Sequence, residues 1–131
     1  MEFKTLIPPH TPNNFFSTAS TIKSSQAHSI SPNYNFTTSE LLKELSRIAL
    51  SEPRTIIISN NINTQQIKFC QRSFAFRFPD YIWAEATKID SNTSSISIYS
   101  KSKYGYSDFG VNKKRVSRWL EKLKASPAKQ S

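Results

Sequence analysis

Apolar residues after position 40 fall into short sets of different spacing, and each spacing predicts one kind of element. Leu41, Leu42, Leu45, Ile48 and Ala49 recur on one face at helical spacing. Thr37-Thr38-Ser39-Glu40 precedes them with the pattern of a capping box, in which Thr37 and Glu40 each accept from a free N–H. The helix ends near Ser51, because Pro53 disfavours helical geometry at Glu52. Thr55-Ile56-Ile57-Ile58-Ser59 is rich in β-branched residues and predicts a strand, with Asn60-Asn61 as the turn after it. Residues 66 to 78 read as one long strand or a bent pair: Ile67 and Phe69 alternate with Lys68 and Cys70, and Phe74, Phe76 and Phe78 alternate with Ala75 and Arg77. Pro79-Asp80 breaks that run. Strands follow over 81 to 89 and 95 to 103, separated by the polar turn Asp90-Ser91-Asn92, with Ile96 and Ile98 facing a core. A closing helix covers about 112 to 125, with Val116, Trp119, Leu120 and Leu123 on its apolar face and Pro127 beyond its end.

The order helix, about four antiparallel strands, helix predicts an α+β fold. It would be a two-layer sandwich, with the sheet packed by an N-terminal and a C-terminal helix. Residues 1–36 contain Pro8, Pro9, Pro12 and Pro32 among many Ser, Thr and Asn, and hold no sustained period. They read as an extended arm before a single domain over 37–126, with a short tail at 127–131.

Composition narrows the function classes. The chain has 131 residues and a formal net charge of +9, which favours an anionic partner or simply a basic, solvated surface. The lone cysteine, Cys70, rules out an intrachain disulfide and a cysteine-rich metal site, and reads as a buried, inert thiol. No apolar run approaches the roughly 20 residues that span a bilayer. The opening residues lack the apolar core of a secretory signal, so the expected location is cytoplasmic. The acid-poor, Ser/Thr-rich arm leaves organelle targeting open. No cofactor or metal is expected, because no His/Cys/Asp/Glu cluster has ligand spacing.

Both glycines of the chain, Gly105 and Gly110, flank Ser107-Asp108 and lead into the basic closing helix. Two glycines so placed predict positive φ at a sharp strand-to-helix junction. On a structural reading, Asp108 or Asn112 caps the helix. On a functional one, the helix N-terminus with Lys103, Lys113 and Arg115 holds a phosphate or carboxylate, a role Asp108 would oppose. A nucleic-acid reading joins six cations of the last helix to Tyr99, Tyr104 and Tyr106 as stacking platforms, although Glu121 interrupts the basic face. A hydrolase reading would need His28 brought to Ser107 and Asp108, and no nucleophile-elbow motif surrounds Ser107.

The run Gly105-Tyr106-Ser107-Asp108-Phe109-Gly110-Val111-Asn112 followed by Lys and Arg resembles the domain of unknown function 1499 family. Arg72-Ser73-Phe74 and Phe76-Arg77-Phe78-Pro79-Asp80 are similar to its central block. Thr11-Pro12-Asn13, then His28, Ile30 and Pro32, resemble its entry arm. Three positions depart from its pattern: Asn14 stands where the family has Cys, Asp80 is followed by Tyr81 instead of a second acid, and Trp83 replaces a Glu. The resemblance implies a compact α+β domain, and it carries over no catalytic activity or cofactor.

These readings converge on a small non-enzymatic domain for binding or accessory assembly, with a protein or an anionic ligand as partner. Its expected surface is the strand–helix junction: Arg72, Lys103, Ser107, Asp108, Asn112 and Arg115. A basic nucleic-acid-binding module is the alternative, and a small hydrolase-like enzyme the third.

Overall fold

The computed structural model describes residues 1–105 and 108–127. The capping box forms as its sequence predicts. The Glu40 N–H donates to Thr37 Oγ1 and the Thr37 N–H to Glu40 Oε1, opening helix α1 (Thr38–Leu50). Strands β4 (Thr55–Asn61), β5 (Gln66–Arg72), β6 (Pro79–Asp90) and β7 (Thr93–Ser102) follow as an antiparallel meander, and helix α2 (Val111–Ala125) closes the chain.

The predicted class holds, but the sheet is larger than the four strands expected. The N-terminal segment adds β1 (Asn14–Thr18), β2 (Ser29–Ile30) and β3 (Asn33–Tyr34), giving seven strands among the described residues. β1 pairs antiparallel with β7, β2 pairs parallel with β1, and β3 pairs with β7 beyond β1. The arm is therefore the sheet's far edge, although it lacks an alternating apolar pattern. Hydrogen bonds help to hold it: Ser97 Oγ and Ser95 Oγ accept from the Ala19 and Ser20 N–H groups, and the Ser17 and Ser31 hydroxyls bond at 2.7 Å.

One face of the sheet carries the main core. Leu41, Leu45 and Ile48 of α1 and Val116, Trp119 and Leu123 of α2 pack on Ile67, Phe69, Ile82, Ala84, Ile96 and Ile98. Phe69 and Trp119 meet edge-to-face, ring centroids 5.5 Å apart. The opposite face is partly covered by the N-terminal segment: Phe3 and Phe16 pack on Tyr99, and Trp83 stacks on Tyr99 at 5.7 Å. Tyr99 is buried there, its hydroxyl pushed up to about 12 by desolvation, so it is no stacking platform.

The predicted strand or bent pair over 66 to 78 ends at Arg72. Residues 73–78 form a connection that turns Phe74, Phe76 and Phe78 to solvent, and Pro79 starts β6 instead of breaking it. Proline is acceptable there because it is the first residue of the strand, where a missing donor costs little.

Candidate functional site

The sheet register decides what lies beneath the start of α2. Gln71 pairs with Asp80, and Asp80 with Ser102, making a polar row across β5, β6 and β7. The next row inward carries Phe69, Ile82 and Ser100. Alternation places Asp80 on the same face as Ile82 and Ala84, so the row forms the polar end of the core layer. The first turn of α2 covers it.

Asn112 is fully buried there and acts as a hub. Its Oδ1 accepts from Ser100 Oγ at 2.6 Å and from Arg115 Nη1 at 2.9 Å. Its Nδ2 faces three acceptors: Asn13 O at 3.0 Å, Ser102 Oγ at 2.9 Å and Asp108 Oδ2 at 2.5 Å. Arg115 is almost as buried. It donates from Nε to Gln71 Oε1 at 2.7 Å, from Nη1 to Ser100 Oγ at 3.1 Å and from Nη2 to Asp80 Oδ2 at 2.8 Å. A buried guanidinium with a carboxylate and three further acceptors is neutralised and satisfied.

Asp108 does cap α2, from two residues before the N-cap position, which is Gly110. Its Oδ1 accepts from the Gly110 N–H at 2.7 Å and its Oδ2 from the Asn112 N–H at 3.1 Å. The helix N-terminus thus already holds an anion, the Asp108 carboxylate, and no exogenous phosphate or carboxylate is needed there. Asn112 is not a cap; it lies inside the first turn. Gly105 and Gly110 take φ of 87° and 82°, the left-handed geometry expected of them.

The six expected site residues therefore separate. Asp108, Asn112 and Arg115 come together in one closed network. Arg72 stands across from Arg115, exposed, its Nη1 donating to Arg77 O at 2.9 Å. Lys103 turns away, its ammonium 5.4 Å above the Tyr104 ring. Ser107 lies outside the described residues, as does Tyr106. His28 does not reach Asp108: its Nδ1 accepts from the Phe16 N–H at 2.9 Å, and with His10 it lines a separate cleft against Pro8, Pro9 and Asn14. Burial lowers the His28 imidazole, which favours its neutral form.

Beside the network lies a cleft of about 560 Å³ between the end of α1, the adjoining ends of β4 and β5, and α2. Arg54, Arg72, Arg115, Arg118 and Lys122 line it, with only two carboxylates, Glu52 and Asp80. Arg118 grips Glu52 through two bonds, Nε to Oε2 at 2.6 Å and Nη2 to Oε1 at 2.7 Å, and Lys122 Nζ lies 3.7 Å from Oε2. Burial pushes the Glu52 carboxyl up, but hydrogen bonds from Arg118 and Gln71 and the Arg118 charge outweigh it, bringing the group down to about 2. Arg54 Nε donates to Arg72 O, and its guanidinium lies 5.4 Å from the Phe74 ring centroid.

Sequence reasoning missed Glu52, Arg54, Gln71, Asp80 and Arg118 as parts of this region. Asp80 left a legible trace: it shares the parity of the buried Ile82 and Ala84, and an acid on a core face needs a cation. Glu52 and Arg118 left none, being 66 residues apart.

No curated protein and no solved structure matches the chain. The family model described as protein of unknown function (DUF1499) matches residues 7–123, a span that takes in β1 to β7 and nearly all of α2. The junction that anchors Asn112 and Arg115 is thus part of a shared domain, and the chain belongs to the DUF1499 family.

Proposed function

We propose that the protein is a non-enzymatic binding domain, and that the cleft beside the strand–helix junction takes an anionic group of its ligand, a carboxylate or a phosphate. The observation that carries the reading is the charge state of the cleft wall. Both carboxylates are already engaged, Asp80 with Arg115 and Glu52 with Arg118 and Lys122. Arg54 and Arg72, at its mouth, have no carboxylate partner among the described residues. Their guanidiniums are oriented by backbone carbonyls and the Phe74 ring, so part of the ordering cost of binding is met in advance. The buried network behind them ties α2 to β5 and β6.

Two side chains that could have served catalysis are turned to other work. Cys70 is buried and its thiol pushed up, chiefly by desolvation, and His28 is occupied by the Phe16 N–H.

A nucleic-acid backbone is the same chemistry on a longer ligand. The observation that favours it is that Arg54 in the turn before β4, Arg72 at the end of β5, and helix-borne Arg118 and Lys122 share one cleft. The buried Tyr99 counts against it.

Titration of inorganic phosphate and of citrate, followed by amide and guanidinium NMR shifts, tests the reading. Saturable shifts are expected around Arg54, Arg72 and Arg118. Arg54→Gly suits the test because Arg54 has a φ of 57°, which glycine adopts without strain. Loss of one charge-assisted contact should weaken binding about tenfold. Absence of saturable binding, or an affinity unchanged from the parent in both Arg54→Gly and Arg72→Ala, would remove the cleft from consideration. A single-stranded oligonucleotide binding far more tightly than either small anion, with a steep salt dependence, would favour nucleic acid.

A further inference from the structure

Phe74, Phe76 and Phe78 lie on the connection between β5 and β6 and are 76%, 76% and 51% exposed. They are not scattered. Phe76 stacks on Phe78 at 5.5 Å, and Phe78 meets Tyr104, itself 55% exposed, at 5.6 Å. Single exposed apolar residues are ordinary, but a contiguous set at one end of a domain marks a surface of interaction.

Cations surround this set. Arg54 lies against Phe74, Lys103 covers Tyr104, and Arg72 holds the Arg77 carbonyl at 2.9 Å. No acidic residue occurs between Glu52 and Asp80, or between Asp90 and Asp108. Asp80, at the base of the connection, is paired with Arg115. The backbone of the connection is also closed at its neck: the Ser73 N–H donates to Phe78 O and the Phe78 N–H to Ser73 Oγ, both at 3.0 Å. The N–H groups of Ser73 and Phe78 are thus satisfied within the segment, which lowers the cost of bringing the neck near a medium poor in hydrogen-bond partners.

We propose that this aromatic tip docks the domain on an anionic bilayer, with Phe74, Phe76 and Phe78 entering the interface and Arg54, Arg72, Arg77 and Lys103 meeting the headgroup phosphates. Charge complementarity selects the occupant. A second copy of this chain would present the same ring of positive charge and be repelled, whereas an anionic leaflet offers uniform negative charge above an apolar layer. The apolar face of α2 plays no part, since Val116, Trp119 and Leu123 are buried in the core. The proposal shares Arg54 and Arg72 with the cleft but rests on the exposed rings, and holds whether or not the cleft takes a free anion.

The test is co-sedimentation of the full chain with vesicles of phosphatidylcholine alone and of phosphatidylcholine mixed with phosphatidylglycerol. Binding is expected only to the mixed vesicles. Phe76→Ser should weaken it about tenfold, and Phe76→Ser with Phe78→Ser further, because each removes one inserted ring. The exposure of these positions predicts unchanged thermal unfolding. In Phe76→Trp, the fluorescence added to that of Trp83 and Trp119 should be quenched by lipids brominated on the acyl chain. Failure to bind mixed vesicles overturns the proposal. So does binding that salt abolishes but the serine variants leave intact, which would reflect net charge alone. Self-association of the free protein that the serine variants abolish would assign the tip to a second copy and overturn it equally.

Discussion

Arg115 Nη2 stands 2.8 Å from Asp80 Oδ2, with the two side chains only 5% and 14% exposed. An ion pair so enclosed loses most of the hydration of both charges. It is tolerated because Gln71, Ser100 and Asn112 supply the remaining partners of the guanidinium. The pair joins the N-terminal part of α2 to Asp80 at the middle of the polar row, and so fixes how the closing helix sits on the sheet.

Removing one partner should therefore cost more than the net worth of the pair. Arg115→Met leaves Asp80 without its cation and is expected to destabilise by about 3 kcal/mol. Combining it with Asp80→Asn should recover part of that loss. Urea unfolding of the two variants checks this, and equal midpoints for Arg115→Met and the parent would show that the pair is not structural.

Asn112 sets a second expectation. Asn112→Ala strips partners from Ser100, Ser102 and the Asn13 carbonyl together, and should cost on the order of 3 kcal/mol. Asn112→Asp is the sharper probe. It replaces the amide nitrogen, 2.5 Å from Asp108 Oδ2, with an oxygen that brings like charge to the same place. Its stability deficit should shrink on acidification, as one of the two carboxyls takes a proton. A deficit independent of pH would contradict the hub geometry.

Asp108 caps α2 through the Gly110 and Asn112 N–H groups. Asp108→Ala should lower stability by about 1 kcal/mol, and Asp108→Asn by less, since an amide oxygen still accepts. Differential scanning calorimetry reads the difference; an unchanged melting curve for the alanine variant would sink the cap assignment.

Glu52 gives the pH dependence. Burial alone would raise its carboxyl, but the bonds from Arg118 and Gln71 bring it from 4.5 down to about 2. A folded-state value below the unfolded one means that the unfolded chain binds the extra proton, so the contribution is complete above about 4.5 and lost as pH falls towards about 2. Stability measured across that window should decline more steeply in the parent than in Glu52→Gln. Parallel curves would place the acid sensitivity elsewhere.

Much of the fold was written in local sequence. The capping box at Thr37 and Glu40, the stripe from Leu41 to Ala49, the alternation around Ile96 and Ile98, and the positive φ of both glycines depend on residues within a few positions of each other. Short-range chemistry of this kind needs no partner from elsewhere in the chain. The two helices and the central strands could therefore be read directly, and with them the α+β class.

What only the tertiary structure decided concerns pairing across distance. Asn14 to Thr18 carry no strand pattern, and become β1 because β7 presents a matching edge and a row of serine hydroxyls. Phe74, Phe76 and Phe78 alternate like a core strand, yet β5 ends at Arg72 and leaves them without a sheet partner, so they face solvent. Asn112 and Arg115 read as a surface because polar residues at a helix start usually are one. Register placed Gln71, Asp80 and Ser102 beneath them, and desolvation turned the same residues into a buried brace. Local sequence specifies the period of an element; which face meets water depends on what the rest of the chain lays over it.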